Sequence, residues 1–179
     1  FSIVKKDSID KLIVDIRGNL GGSSVLAKDI LDCFTHSPYT LAIGVDYFSK
    51  GKMYSNDLKE LHKPSYSGYK FKGKVVLLSD VLTYSSAQMM QVGFRHYKMG
   101  TTVGHKSSES YYITGGVQKT VLKNSGLELY APTANYRLPG ATSSKVEFYT
   151  PDYECYPSLS ERLNEEDIML TKALEVLDF

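Results

Sequence analysis

Two apolar runs, Leu12 to Ile16 and Lys74 to Ser79, stand out from a chain in which apolar and polar residues are otherwise mixed. Neither run alternates, so each reads as a strand buried on both faces in a parallel sheet. Each leads straight into a turn and then into a helical pattern. After the first, Gly18, Gly21 and Gly22 turn the chain. Ser23 or Ser24 is then placed to cap a helix over Val25 to Phe34, with Leu26, Ile30 and Phe34 on one face. After the second, Ser85 to Tyr97 repeats apolar residues at helical spacing through Ala87, Met90, Phe94 and Tyr97.

The remaining patterns are shorter. Residues 1 to 8 place Phe1, Ile3 and Val4 on a helical edge, Thr40 to Tyr47 alternates like a strand, and Thr101 to Val103 is a short strand. Residues 49 to 70 are polar and tyrosine-rich, broken by Gly51, Pro64 and Gly68; they read as irregular, a lid or a substrate-facing insertion. From Val117 to Tyr136 two strands flank Asn124-Ser-Gly126, a hairpin signal. Glu161 to Leu177 predicts one last helix, amphipathic through Ile168, Leu170, Leu174 and Leu177. Repeated β-α units with one late hairpin predict an α/β fold with a mostly parallel sheet.

With 179 residues and no internal break in composition, the expectation is one domain over 1–179. The net charge of +1 removes any reason to expect a nucleic-acid partner. The 14 tyrosines fit cross-strand packing with wet hydroxyls better than a dedicated binding role. Cys33 and Cys155 lack Cys-x-x-Cys spacing, so free thiols and no metal are expected. No run reaches the roughly 18 apolar residues of a membrane span, and no signal peptide is visible. The chain opens on Phe1-Ser-Ile-Val without methionine and reads as a fragment of a longer protein whose N-terminal segment is absent.

The two strand-turn-helix units supply complementary chemistry. The turn Arg17-Gly-Asn-Leu-Gly-Gly22 offers bare backbone amides, and Thr83-Tyr-Ser-Ser-Ala-Gln88 offers a hydroxyl at a helix start. Together they could make an oxyanion-binding loop and a nucleophile, if the fold brings both strand ends to one sheet edge. Position alone leaves Ser85 open to either reading, nucleophile or N-cap.

Leu12-Ile-Val-Asp-Ile-Arg-Gly-Asn-Leu-Gly-Gly22, Thr83-Tyr-Ser-Ser-Ala-Gln88, Thr101-Thr-Val-Gly-His105 and Pro151-Asp152, in this order, resemble the S41 serine peptidases. That family includes the carboxyl-terminal processing (tail-specific) proteases and the tricorn core protease. The resemblance implies a ClpP/crotonase-like fold and a serine endopeptidase that acts on an extended polypeptide with no cofactor. It makes Ser85 the nucleophile and assigns the oxyanion hole to Gly21, Gly22 and the Ser86 N–H. It also admits an oligomer, a further N-terminal domain in the parent protein and an exported or membrane-tethered location. Arg17 and Asn19 are expected to shape the glycine loop.

The chain departs from the family at the base. The processing proteases carry a lysine some two dozen residues past the nucleophile, which falls on Ser110, or on Thr114 if the Gly116-Val-Gln118 run is aligned instead. The tricorn-like branch uses a histidine before the first conserved strand, so a histidine preceding Phe1 is the expected base, with His105 as the alternative inside the chain. Gln88 replaces a usual glutamate, and Glu147 is a weaker candidate for orienting a base. The competing expectation is a catalytically inactive module of the same fold that binds a peptide or a small hydrophobic ligand. A crotonase-type acyl-CoA enzyme would share the backbone oxyanion logic without needing the Ser85 hydroxyl.

Overall fold

The computed structural model describes residues 2–65, 68, 70–142 and 147–178, so Phe1 lies outside the described residues. In chain order the elements are α1 (Ser2–Lys6), β1 (Lys11–Asp15), α2 (Ser24–Leu31), β2 (Gly44–Ser49), β3 (Lys52–Asp57), β4 (Lys74–Ser79), α3 (Ser86–His96) and β5 (Thr101–Gly104). There follow β6 (Tyr112–Gly115), β7 (Gln118–Val121), β8 (Glu128–Ala131), β9 (Ala134–Arg137), β10 (Tyr153–Glu154), α4 (Leu159–Leu163) and α5 (Ile168–Val176). None of the described helices is long and apolar enough to cross a membrane.

The central sheet runs β1-β4-β5-β10, with every pair parallel, as the β-α repeats predict. β4 is its buried strand. Val75 and Leu77 face a core with Leu31, Met90, Val92 and Phe94 from the α2/α3 side, while Val76 and Leu78 face Val103, Met169, Ala173 and Leu177 on the α5 side. Each of these valine, leucine, methionine and phenylalanine side chains contributes about 1.5–3 kcal/mol by leaving water. β1 differs from expectation. It is the edge strand of the described sheet and only half-buried, because β4 covers one of its edges and no described strand covers the other.

A second, antiparallel sheet runs β3-β2-β9-β6, and β7 and β8 form the expected ribbon around Asn124-Ser-Gly126. The stretch predicted to be irregular contains β3. Lys50 and Gly51 both have positive φ (49° and 75°), the two-residue turn that fits the twist of a hairpin, and it folds Lys52–Asp57 back on β2.

Two helix faces are set one residue away from the predicted ones. In α2 the core residues are Ala27 and Leu31, and in α5 they are Met169 and Ala173, with Leu177 just beyond; Leu170 and Leu174 lie toward solvent. The last helix is also two helices. Glu165 adopts a φ of 55° after the Asn164 cap, and Asp167 restarts the chain by accepting the Leu170 N–H at 3.0 Å. Cys33 is buried after α2, Cys155 follows β10, and both are free thiols.

Candidate active site

The β1 and β4 turns leave the same edge of the sheet and are stitched together by polar contacts. Asp80 Oδ1 accepts from the Gly18 N–H at 2.9 Å and the Leu82 N–H at 3.0 Å. The Thr83 hydroxyl donates to the Ile16 carbonyl at 3.2 Å, and the Tyr84 N–H donates to the Asn19 carbonyl at 2.9 Å. The two motifs lie far apart in sequence but adjacent in space because their strands are neighbours in register, with Asp15 opposite Leu78.

Ser85 takes φ 56° and ψ −122° just before α3, and its side chain makes no capping hydrogen bond. Such a backbone is costly for a residue with a Cβ and persists only where the surroundings impose it. The N-cap reading therefore loses its basis. The Ser85 hydroxyl makes no bond to the first amides of the helix it precedes.

Asn19 and Arg17 shape the first turn. Asn19 Oδ1 accepts the Gly21 N–H at 2.9 Å, so of the two glycines expected to offer an amide, Gly21 has its own committed inside the loop. Gly21 serves the site by its lack of a side chain instead, since a Cβ there would lie 2.6 Å from Ser85 Cβ and 3.1 Å from the Ser86 N. Among the described residues, neither the Gly22 N–H nor the Ser86 N–H has a hydrogen-bond acceptor. Arg17 grips Asp15 at 2.7 Å and Asp167 at 2.8 Å, tying the turn to the start of α5. Its hydrogen bonds are the main cause that holds both carboxyls below the ordinary aspartate range.

A cavity of about 220 Å³ opens beside this turn, lined by Gly21, Gly22 and Ser86 on one side and by Leu26, Ala27, Ile30, Ala87 and Met90 on the other. It explains the shifted face of α2. Leu26 and Ile30, one helical turn apart, are 62% and 40% exposed because they wall the cavity rather than the core. A larger open groove of about 960 Å³ between Lys28, Pro38 and residues 57–63 contains none of the Ser85 turn.

The sequence reading missed Glu109. Its Oε2 accepts the Ser85 N–H at 2.6 Å. Burial pushes its carboxyl above the ordinary glutamate range, and the bond from Ser85 brings it part of the way back. The fully buried Gln88 sits behind it, accepting from the Ser107 hydroxyl at 2.9 Å and donating to the Glu109 carbonyl at 3.3 Å. A carboxylate one position before Ser110, where the resemblance calls for a lysine, was the available signal.

The other candidates lie elsewhere. His105 stacks on Tyr156 with ring centroids 5.0 Å apart, and burial holds it below the ordinary histidine value although Asp80 pulls the other way. Both its ring nitrogens are buried without a partner among the described residues. Ser110 is turned into its own loop by hydrogen bonds with Tyr112, Thr114 is exposed on β6, and Glu147 lines a groove with Arg95 and Lys106.

Among the described residues no group of histidine, cysteine and carboxylate side chains is arranged to hold a metal ion. The model of peptidase family S41 matches residues 1–155. Solved structures share the fold at low identity. A candidate peptidase from Parabacteroides merdae superposes with a TM-score of 0.74 at 17% identity, covering 98% of this chain and 54% of that one. Mature CPAF gives 0.69 at 14% identity over 99% and 44%, and the photosystem II D1 C-terminal processing protease gives 0.56 at 20% over 89% and 38%. No curated protein matches the chain in sequence. The chain thus spans about half the length, or less, of these solved structures. With its Asp-x-Arg-x-Asn-x-Gly-Gly turn and its Ser85 elbow on one parallel sheet edge, the chain belongs to peptidase family S41.

Proposed function

We propose that this chain carries the nucleophile and oxyanion hole of a serine endopeptidase, with the general base supplied by a histidine that precedes Phe1 in the parent protein. The observation that carries the reading is Ser85. Its backbone is strained, its hydroxyl is free of the helix cap, and the unbonded N–H groups of Gly22 and Ser86 lie on the cavity next to it.

In this reading Ser85 Oγ attacks the scissile carbonyl while the base removes its proton. The carbonyl oxygen becomes an oxyanion held by Gly22 and Ser86 N–H, a contact stronger in the transition state than in the bound substrate. Collapse breaks the C–N bond, the base returns the proton to the departing amine, and water hydrolyses the acyl-enzyme by the same path. The cavity walled by Leu26, Ile30, Ala87 and Met90 takes a small or medium apolar side chain beside the scissile bond.

The chemistry needs a base within reach of Ser85 Oγ, and no described side chain hydrogen-bonds to that hydroxyl; His105 is stacked on Tyr156. The test is fluorophosphonate labelling of the parent protein and of this chain, each beside a Ser85→Ala control. Labelling of the parent alone is the expected result. Labelling of both moves the base to His105, and labelling of neither favours a binding module built on the same pocket.

A further inference from the structure

We propose that Glu109 is a positioning residue for the nucleophile, a carboxylate clamp that grips the Ser85 N–H, fixes the strained turn and withdraws that N–H from the oxyanion hole. The inference rests on the peptidase reading of Ser85 and adds to it a residue outside the motifs that carry the family resemblance.

The geometry has three parts. First, the contact between Glu109 Oε2 and the Ser85 N is 2.6 Å, at the short end for a backbone N–H on a carboxylate, a bond class about twice as strong as neutral ones. Second, Glu109 is itself held in place. Its N–H donates to Ser107 Oγ at 3.0 Å, Ser107 Oγ donates to Gln88 Oε1 at 2.9 Å, and Gln88 Nε2 donates to the Glu109 carbonyl at 3.3 Å. Gln91 Nε2 also reaches Gln88 Oε1 from the next turn of α3. A closed ring of polar groups around the buried Gln88 thus fastens the loop after β5 to the first turn of α3, and such linked hydrogen bonds restrict its motion. Third, a φ of 56° at a serine needs an outside force to hold it, and the amide that Glu109 grips belongs to that same residue.

The consequence for chemistry is a division of amides. The nucleophile's own N–H is a common oxyanion donor in acyl transfer. Here Glu109 occupies it and Asn19 occupies that of Gly21, which leaves Gly22 and Ser86 as the donors. The carboxylate itself takes the Ser85 N–H, while Gln88 and Ser107 hold the Glu109 backbone, and all three partners are uncharged. No charged neighbour shifts Glu109; burial raises its pKa and the Ser85 N–H opposes.

Two measurements on the parent protein, wild type and Glu109→Gln, test the clamp. In the first, the Ser85 amide proton is followed by NMR against pH. It is expected to titrate in the wild type with a midpoint above the ordinary glutamate range and to stay flat in Glu109→Gln. An amide that does not respond in the wild type, or responds equally in both, overturns the proposal.

The second measurement is the ratio of wild-type to Glu109→Gln fluorophosphonate labelling rates. It is expected to be about tenfold at pH 8, the rate equivalent of weakening one hydrogen bond to a charged group, and to fall toward one as Glu109 protonates. A ratio that stays constant with pH reports a purely structural effect and also overturns it. Absence of wild-type labelling with a titrating Ser85 amide defeats the peptidase reading while upholding the clamp, which separates the two failures.

Discussion

Gly21 and Ser85 touch across the two turns so closely that a Cβ on Gly21 would sit 2.6 Å from Ser85 Cβ and 2.8 Å from the Tyr84 carbonyl oxygen. Gly18, in the same turn, has open space where its Cβ would go and a φ of 68°. Alanine at Gly18 therefore costs only the backbone strain, about 1 kcal/mol. At Gly21 it adds the clash and displaces the elbow, for roughly 2–3 kcal/mol. Urea denaturation and Ser85 labelling on both variants check this. Gly21→Ala is expected to lose at least about a hundredfold in labelling rate, and Gly18→Ala to keep it within a few-fold.

Ser85 offers a stability test of its role. An N-cap serine replaced by alanine loses about 1 kcal/mol, but Ser85 makes no cap bond, so Ser85→Ala should cost under about 0.5 kcal/mol. Ser85→Gly should be the more stable of the two by about 1 kcal/mol, because glycine relieves the positive φ. Both variants are expected to label at background. A large loss in Ser85→Ala would return the residue to a capping role.

Much of this arrangement was legible in the sequence, for reasons the structure makes plain. β4 reads correctly because an interior parallel strand is apolar on both faces, and the glycine turn reads as a turn because Gly18, Gly21 and Gly22 all take positive φ, where glycine is favoured. β1 carries the same apolar signature but lies at the edge of the described sheet, since a run of Leu, Ile and Val does not say what covers its far side. α2 was misread by one position. Leu26 and Ile30 look like core residues because a surface cavity can be lined by the same side chains as a core. Glu109 left only its place beside the Ser110 position as a signal, because its contact with Ser85 depends on where the loop after β5 returns, a tertiary relation.

Ile30 turns that misreading into a measurement. At 40% exposure it contributes little to the core, so Ile30→Ser should change stability by about 0.5 kcal/mol or less. If the cavity it lines accepts an apolar substrate side chain, the same change removes an apolar contact and should lower kcat/KM on peptides with such a residue by about tenfold. It should leave peptides with glycine at that position unaffected. Equal losses on both peptides would show that the cavity is not a side-chain subsite.

His105 separates the two candidate bases through a substitution that preserves its packing. Its ring lies flat on Tyr156 at an interplanar angle of 8°, with both nitrogens buried and unpaired among the described residues. Burial lowers its pKa below the ordinary value of 6.5. A folded-state histidine with a depressed pKa takes up its proton later than the unfolded chain does, so stability is lost as pH falls below about 6.5 toward the folded value. His105→Phe keeps the stack, removes two unsatisfied polar atoms and abolishes that loss. The variant should match or exceed wild-type stability at pH 7, and its advantage should widen at pH 5 in parallel denaturant titrations. Ser85 labelling in the parent protein should stay within about threefold of wild type, because the ring packs on Tyr156 and makes no hydrogen bond to the nucleophile. A fall to the Ser85→Ala background with the fold intact would instead place the base at His105, requiring that the ring leave Tyr156 when substrate binds.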